Sequence, residues 1–224
     1  MNLLAIETAT ETVSVALSMD GQVLERYEHA PRKHAELLLP WVKSIMADAD
    51  IGFSAIDTIA FSRGPGSFTS LRIGIGIVQG LAWASDRPVV PVSSLAATAQ
   101  SAVSSGVKSA LVALDARMNE VFTGAFELND QGVMQAVSAE SVCAPGLVSP
   151  PENPETYGIG IGFARYPELE PLMARLQGVH TDTWPKASCV IKLALDWLSR
   201  NEALPAEQAQ PVYLRNDIAK KPQA

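Results

Sequence analysis

Two acidic residues occupy matching places in the chain, each at the end of an apolar run that predicts a β-strand. Glu7 ends the run Leu3–Ile6, and Asp115 ends the run Ala110–Leu114. Two carboxylates facing one cleft can act as a general acid and base or hold Mg²⁺. Glu7 and Asp115 are therefore candidate cleft acids. The absence of a glycine directly after Glu7 argues against close approach of a phosphate there.

A glycine-rich turn, Arg63-Gly-Pro-Gly-Ser67, leads straight into an apolar segment that predicts a helix. Exposed N–H groups at a helix N-terminus attract anions, so Gly64, Gly66 and Ser67 could face a phosphate. The turn is not a P-loop, which needs a lysine to neutralise phosphates, because no lysine occurs between Lys43 and Lys108. The alternative is a structural turn in which Ser67 caps the helix.

Other catalytic and metal-binding patterns are missing from the sequence. The histidines are His29, His34 and His180, and none of them lies four residues from another, as a helical metal site requires. Cys143 and Cys189 form no Cys-x-x-Cys pair, and no Gly-x-Ser-x-Gly elbow occurs. We therefore predict no catalytic residue and no metal ligand.

Composition favours a globular protein with an acidic surface. The 224 residues are 47% hydrophobic and 18% charged, with a net charge of −7. A negative net charge opposes unaided binding to a polyanion, so we expect contact with RNA only through a partner. The N-terminal apolar run stops at Glu7, too early for a signal sequence or a membrane span. We expect a cytoplasmic protein without membrane contact.

Periodicity and turn residues predict the element order βββαβαβ for the first half of the chain. The predicted strands are 3–9, 12–19, 22–28, 58–62 and 89–92, and the predicted helices are 34–49, about 69–85, 93–105, 164–176 and 186–200. From residue 110 onward the opening meander recurs, which favours a duplicated α/β domain. The alternative is a chance likeness between two β-meanders.

Two of the predicted helices are too apolar for a helix that packs on one sheet alone. In the first, residues 37–46 present an apolar arc about twice as wide as a sheet can cover; in the second, Gln79 is the only polar side chain between residues 73 and 84. We predict a partner interface on these two helices. Small residues on the second helix would allow a partner helix to approach closely. Its residues are His34, Leu38, Trp41, Val42, Ile45, Ile73, Gly76, Ile77 and Gly80. The alternative is burial of both helices inside the chain itself.

Several segments together resemble the bacterial TsaB (YeaZ) family. They are Leu4–Ala9, His34–Pro40, Arg63–Gly76, Pro91–Leu95, Leu114–Arg117 and Pro211–Arg215. Ser70 and Asn119 depart from the family pattern, which usually has glycine at both positions. Serine is well tolerated near a helix start and asparagine in a turn, so we expect little effect from either.

The resemblance implies a duplicated actin-like/Hsp70-like (ribonuclease H-like) fold with two subdomains. We place them at residues 1–103 and 104–224, with the last ~15 residues either packing back onto the fold or loose. It also implies that the chain is a noncatalytic subunit of a complex. That complex transfers threonylcarbamoyl from threonylcarbamoyl-AMP to N6 of adenosine 37 in tRNAs that read ANN codons. The alternative is an actin-like kinase or hydrolase with its own nucleotide cleft.

The resemblance names the partners as well. It implies the catalytic relative TsaD, the ATPase TsaE, a homodimer when the chain is alone, and tRNA reached only indirectly through the complex. The isolated chain would hold no cofactor, whereas ATP or ADP could bind at the heteromeric interface. TsaD holds a metal with two histidines four residues apart on its first helix; the equivalent residues here are His34 and Leu38.

Overall fold

The computed structural model describes residues 1–215 and consists of two mixed β-sheets with helices around them. The first sheet has the order β3-β2-β1-β4-β5 and is formed by β1 (Leu3–Glu7), β2 (Thr12–Met19), β3 (Gln22–His29), β4 (Thr58–Gly64) and β5 (Val89–Ser93). The second sheet has the order β11-β10-β6-β7-β8, with β9 also paired to β7. Its strands are β6 (Ser109–Asp115), β7 (Val121–Leu128), β8 (Met134–Ala136), β9 (Ser141–Cys143), β10 (Tyr157–Ile159) and β11 (Gly178–His180).

The two sheets repeat one topology. In each, the first strand pairs antiparallel with the second, β1 with β2 and β6 with β7. The first strand also pairs parallel with a later strand, β4 or β10, and the last strand of the sheet, β5 or β11, lies parallel beside that one. The prediction of a duplicated two-subdomain α/β fold is thereby confirmed.

Six α-helices accompany the sheets within the described residues. They are α1 (His34–Asp48), α2 (Phe68–Ser85), α3 (Ser94–Ala102), α4 (Gly162–Arg165), α5 (Glu170–Met173) and α6 (Ala187–Leu198). The single helix predicted at 164–176 is wrong: it is divided into α4, a 3₁₀ turn and α5. Pro167 causes the break, because proline disfavours helical backbone in the residue before it. None of the helices in residues 1–215 is long and apolar enough to cross a membrane.

Alternating side chains of the first sheet build two separate cores. Leu4 and Ile6 pack with α1 and α2 on one face. Leu3 and Ala5 point to the opposite face and pack with α3 and α6. This period of two is the pattern expected for a strand buried on both faces.

Helix α6 returns to the first sheet although it follows the second sheet in sequence. Its N-terminus is fixed by Glu25 of β3, whose carboxylate accepts hydrogen bonds from the Ser188 N–H at 2.9 Å and the Ser188 hydroxyl at 3.0 Å. Further along, Leu204 forms an antiparallel bridge with Val89. Residues assigned from sequence to the second subdomain thus complete the first one, and the boundary at residue 103 stays a prediction.

The chain end packs back onto the fold as far as it is described. The Val212 N–H donates to the carbonyl of Arg63 at 2.8 Å, while Leu214 packs against the core of the second subdomain. Residues 211–215 therefore form a strap that touches both subdomains. Lys220 and Lys221, near the end of the sequence, lie outside the described residues.

Candidate functional site

A cleft of about 860 Å³ lies between the two subdomains. The first subdomain contributes the β1–β2 turn, the start of α1 and the turn before α2; the second contributes the β6–β7 turn and α4. The strap and Trp184 complete the lining. This is where the matching ends of β1 and β6 meet.

Glu7 lies behind the cleft wall rather than in it. Its side chain is fully buried, one carboxyl oxygen accepts the Ala9 N–H at 2.6 Å, and the other has no partner in the structure. Burial raises the pKa of Glu7 to about 7, despite the opposing hydrogen bond from the Ala9 N–H. The carboxyl group is therefore largely neutral below that pH.

Asp115 lines the cleft, but its carboxylate is engaged on all sides. Tyr166 donates its hydroxyl at 2.6 Å, the Arg117 N–H donates at 2.8 Å, and the Arg165 guanidinium forms an ion pair. Burial by itself would raise the pKa of Asp115, but these contacts outweigh it and hold the pKa below its ordinary value. Asp115 is thus a stable anion that orders its neighbours.

Glu11 extends this cluster across the cleft. From the β1–β2 turn of the first subdomain it lies 3.2 Å from Arg165 and 3.6 Å from Arg117 of the second. The two guanidinium groups occupy the space between the opposing turns, and they link the subdomains through partly exposed ion pairs.

The expected pair of cleft acids is therefore corrected. Of Glu7 and Asp115, only Asp115 faces the cleft. The space in front of it is filled by Arg165 and Tyr166, which follow it by about fifty residues in sequence. Within residues 1–215 no group of three or more histidine, cysteine, aspartate or glutamate side chains is placed to hold a metal ion.

The turn before α2 is packed against the β1–β2 turn. The Ser67 N–H donates to the Ala9 carbonyl at 2.7 Å, and the Ser67 hydroxyl caps α2 by accepting the Ser70 N–H. A side chain at Gly66 would collide with Ala9, and Gly64 has φ +99°, which favours glycine. This geometry supports the structural-turn interpretation; a phosphate at Gly64, Gly66 and Ser67 stays a prediction.

The nine predicted interface residues divide into two groups. His34, Leu38, Val42 and Ile45 are at most 2% exposed and belong to the chain's own interior. His34 donates from Nε2 to the Thr10 carbonyl at 3.0 Å, and its burial lowers the pKa of the imidazole. These four are out of a partner's reach, because the first sheet and the β1–β2 turn cover them.

The other five predicted residues share one partly open surface. Trp41, Ile73 and Ile77 pack against the edge of the core yet are partly exposed, and a Cβ added at Gly76 or Gly80 would meet nothing within 4 Å. The opposite face of α2 is buried through Ile75, Val78 and Ala82. We call the partly open surface the glycine face.

Two further apolar residues belong to the glycine face but escaped the sequence prediction. Trp83 follows Gly80 by three positions and is 73% exposed, and Leu37, like Trp41, packs at the edge of the core. The spacing of three to four residues after Gly76 and Gly80 would have indicated Trp83.

A second unpredicted group lies at the cleft mouth. The guanidinium carbon of Arg72 is 3.5 Å from the ring centroid of Phe68, and Arg72 Nε donates to the Tyr213 hydroxyl at 3.0 Å. The two rings are 5.8 Å apart. We call Phe68, Arg72 and Tyr213 the aromatic platform. Tyr213 is distant in sequence, so no local pattern indicates the group.

Comparison with known proteins identifies the family. Residues 26–166 match the family model described as "TsaD: tRNA N6-adenosine threonylcarbamoyltransferase". The "tRNA threonylcarbamoyladenosine biosynthesis protein TsaB" of Escherichia coli (strain K12) is 36% identical, with 99% of this chain and 97% of that protein aligned. The chain belongs to the TsaB family. The protein of that same name from Haemophilus influenzae is 34% identical over 99% of this chain and 96% of its own length.

A solved structure agrees with this family membership. "YeaZ from Pseudomonas aeruginosa" is 42% identical, superposes with a TM-score of 0.88, and covers 95% of this chain and 99% of its own. The resemblance to the TsaB (YeaZ) family seen in the sequence motifs is thereby confirmed, and parts of the motifs Arg63–Gly76, Leu114–Arg117 and Pro211–Arg215 line the cleft.

Proposed function

We propose that this protein is a noncatalytic subunit in the biosynthesis of tRNA threonylcarbamoyladenosine, which docks through the glycine face onto a catalytic relative of TsaD type. The names of its relatives support the pathway, and the match of residues 26–166 to the transferase model supports a partner of the same fold. In the reaction, threonylcarbamoyl passes from its adenylate to N6 of adenosine 37 in ANN-decoding tRNA.

The observation that carries the proposal is the surface of α2. A helix whose outward face shows Ile73, Gly76, Ile77, Gly80 and Trp83 leaves apolar side chains and bare backbone in water. Two glycines in a helix interior cost roughly 0.5–1 kcal/mol each relative to alanine. Close approach of a partner helix would offset that cost, because no group of residues 1–215 fills the space beside the two glycines.

The state of the acids supports a noncatalytic role. Asp115 is held by Arg165 and Tyr166, and Glu7 is enclosed behind the wall of the cleft. Neither carboxylate is presented to a substrate as a general base requires, since a base must lie within hydrogen-bond reach of the proton that it removes.

Binding to the purified catalytic relative, measured by calorimetric titration, tests the docking surface. We expect Trp83→Glu and Ile77→Glu to weaken association at least tenfold, since a charge on an apolar interface loses its solvation. Leu195→Glu is the matched control, because Leu195 is 42% exposed on α6 at the opposite face of the sheet. Leu38, named from the sequence, is unsuitable because it belongs to the core.

Alanine at the two glycines separates docking from folding. Gly76→Ala with Gly80→Ala should raise the free energy of unfolding of the isolated chain by about 1–2 kcal/mol, because alanine favours the helix. The same pair should weaken association, since the added methyl groups keep a partner helix at a distance. Unchanged association in all of these variants would exclude the glycine face as the docking site.

The same face would mediate a homodimer when the chain is alone. TsaE would join as the ATPase, tRNA would reach the chain through the complex, and ATP or ADP would bind at the heteromeric interface. Sedimentation of the isolated chain should show a dimer that Trp83→Glu converts to a monomer.

A second candidate function is a kinase or hydrolase with its own nucleotide cleft, which the volume between the subdomains favours. Titration of the isolated chain with ATP and Mg²⁺ discriminates between the two. Tight binding of ATP would support the enzyme, whereas a titration without measurable heat of binding would support the docking subunit.

A further inference from the structure

The aromatic platform leaves part of each ring open to water in a defined orientation, and the Arg72 guanidinium covers one face of Phe68. Phe68 is 45% exposed and Tyr213 is 40% exposed. Phe68 is the first residue of α2, and Tyr213 is fixed by its hydrogen bond to Arg72 and by the neighbouring Val212 N–H bond to Arg63. Because these rings are already ordered, a flat ligand that stacks on them would cost little conformational entropy.

The cleft beside the aromatic platform is locally positive. Its lining contains four arginines, Arg32, Arg117, Arg165 and Arg215, against the carboxylates Glu11 and Asp115, and Glu120 pairs with Arg215 from outside the lining, which leaves a balance of +1. The whole chain has a net charge of −7. Charge of the opposite sign is thus concentrated next to the exposed rings, and Arg117 is itself 72% exposed.

We infer that the aromatic platform binds an unpaired nucleotide of RNA, with the base on Phe68 and Tyr213 and its phosphates near Arg32 and Arg117. Nucleobases stack on aromatic rings and guanidinium planes, and phosphates pair with arginine. This inference rests on the proposed function in one respect only, that RNA is the macromolecule at hand. It departs from the expectation that tRNA is reached only through the complex.

The size of the site favours a short contact. A net charge of −7 repels a polyanion that follows the surface for any distance, whereas one or two unpaired nucleotides need only the few arginines at the cleft mouth. A protein partner could also use aromatic and arginine side chains, which makes that class of partner an alternative outcome of the test.

Fluorescence anisotropy with a labelled single-stranded RNA of about 12 nucleotides tests the inference on the full chain at low salt. Tyr213→Ala should weaken binding about tenfold through loss of stacking, and Tyr213→Phe should retain most of the affinity. Arg32→Gln should make the slope of log K against log salt shallower by about 0.7, because the protein then neutralises one phosphate fewer.

Tyr27→Ala is the matched control, because Tyr27 is 38% exposed on β3, away from the cleft. If Tyr213→Ala fails to fold by circular dichroism, Arg72→Gln supplies the same test without removing a ring. AMP is titrated in parallel, and an affinity for AMP equal to that for the RNA would overturn the inference in favour of a small-molecule site.

Two other results overturn the inference. One is absence of RNA binding by the unaltered chain at low salt; the other is loss of RNA binding in Tyr27→Ala equal to that in Tyr213→Ala. Association with the catalytic relative is measured on the same variants. If the platform variants lose association with the catalytic relative but still bind RNA, the aromatic platform belongs to a protein partner. If the glycine-face variants leave that association unchanged, only the proposed docking function is contradicted.

Discussion

Glu7 is a carboxyl group enclosed by protein at the end of a central strand. The Ala9 N–H satisfies one oxygen, and the other has no hydrogen-bond partner among residues 1–215. Because charge is costly in such a place, the proton is retained to about pH 7. Glu7 therefore makes the stability of the fold depend on pH in a range where an ordinary glutamate would not.

Glu7→Gln should remove this dependence. Between the ordinary pKa of 4.5 and about 7, the unfolded chain releases the proton and the folded chain keeps it, so stability falls as pH rises and the loss is complete above 7. The shift corresponds to about 3 kcal/mol. At pH 8 the variant should be more stable by up to that amount, and near pH 4 the difference should be small.

Urea unfolding across this pH range measures the effect. Glu36→Gln, at an exposed position on α1, is the control and should follow the unaltered chain. If the free energy of unfolding depends on pH in the same way for Glu7→Gln and the unaltered protein, the Glu7 carboxyl group is charged in the folded state.

Sequence reasoning found Glu7 and Asp115 because they end matching strands. It could not predict their different environments. Glu7 is enclosed by the packed interior around β1, and the contacts of Asp115 come from Arg165 and Tyr166, about fifty residues later in the chain. The burial of His34 and Leu38 escaped it for the same reason: an apolar arc on a helix does not reveal how much of that arc the sheet covers.

The β6–β7 turn is an element under backbone strain. Arg117, Met118 and Asn119 have φ values of +61°, +55° and +58°, a left-handed run of three residues without glycine. Such backbone costs roughly 1–2 kcal/mol per residue and persists only where neighbours impose it. The Asp115 carboxylate and Arg215, which contacts the Ala116 carbonyl and Glu120, hold the turn in place.

Met118→Gly should stabilise the fold by about 1 kcal/mol, because glycine adopts positive φ without a Cβ clash. Leu147→Gly is matched in exposure, at 74% for both residues, but lies in a right-handed 3₁₀ turn and should be neutral or destabilising. Thermal melts of the two variants make the comparison. Equal effects would mean that the turn stores no strain at Met118.

The sequence predicted the strands of the first sheet, the meander that starts the second sheet, α1 and α2, because alternation and helical periodicity are local. It did not predict β8 to β11, which are three residues long each. It failed at 164–176, where Pro167 divides the segment. It also indicated no partner for the strap, which pairs with a strand about 150 residues earlier.

The two subdomains are interlocked by segments that cross between them. Glu25 of the first sheet binds the start of α6, and the Ser14 hydroxyl both donates to Glu25 and accepts the Ala187 N–H. Together with the strap and the ion pairs of Glu11, these contacts predict one cooperative unfolding transition for the whole chain.

Glu25→Ala should lower the free energy of unfolding by about 2–3 kcal/mol, because it leaves the Ser188 N–H and hydroxyl at the start of α6 without their charged acceptor. Glu28→Ala, an exposed glutamate on the same strand, should change it by less than about 0.5 kcal/mol. Circular dichroism and tryptophan fluorescence should trace coincident transitions in urea. Separate transitions would contradict the interlocked arrangement.

The late return of α6 has a consequence for biosynthesis on the ribosome. The face of the first sheet that carries Leu3 and Ala5 is formed early in translation and receives α3 soon afterwards, yet the α6 part of its cover is not translated until Ala187–Leu198. At about 5–20 residues per second, the nascent chain carries that face without α6 for on the order of ten seconds. During this interval chaperones rather than the protein's own helix must shield it, and a ribosome that stalls there would release an aggregation-prone fragment.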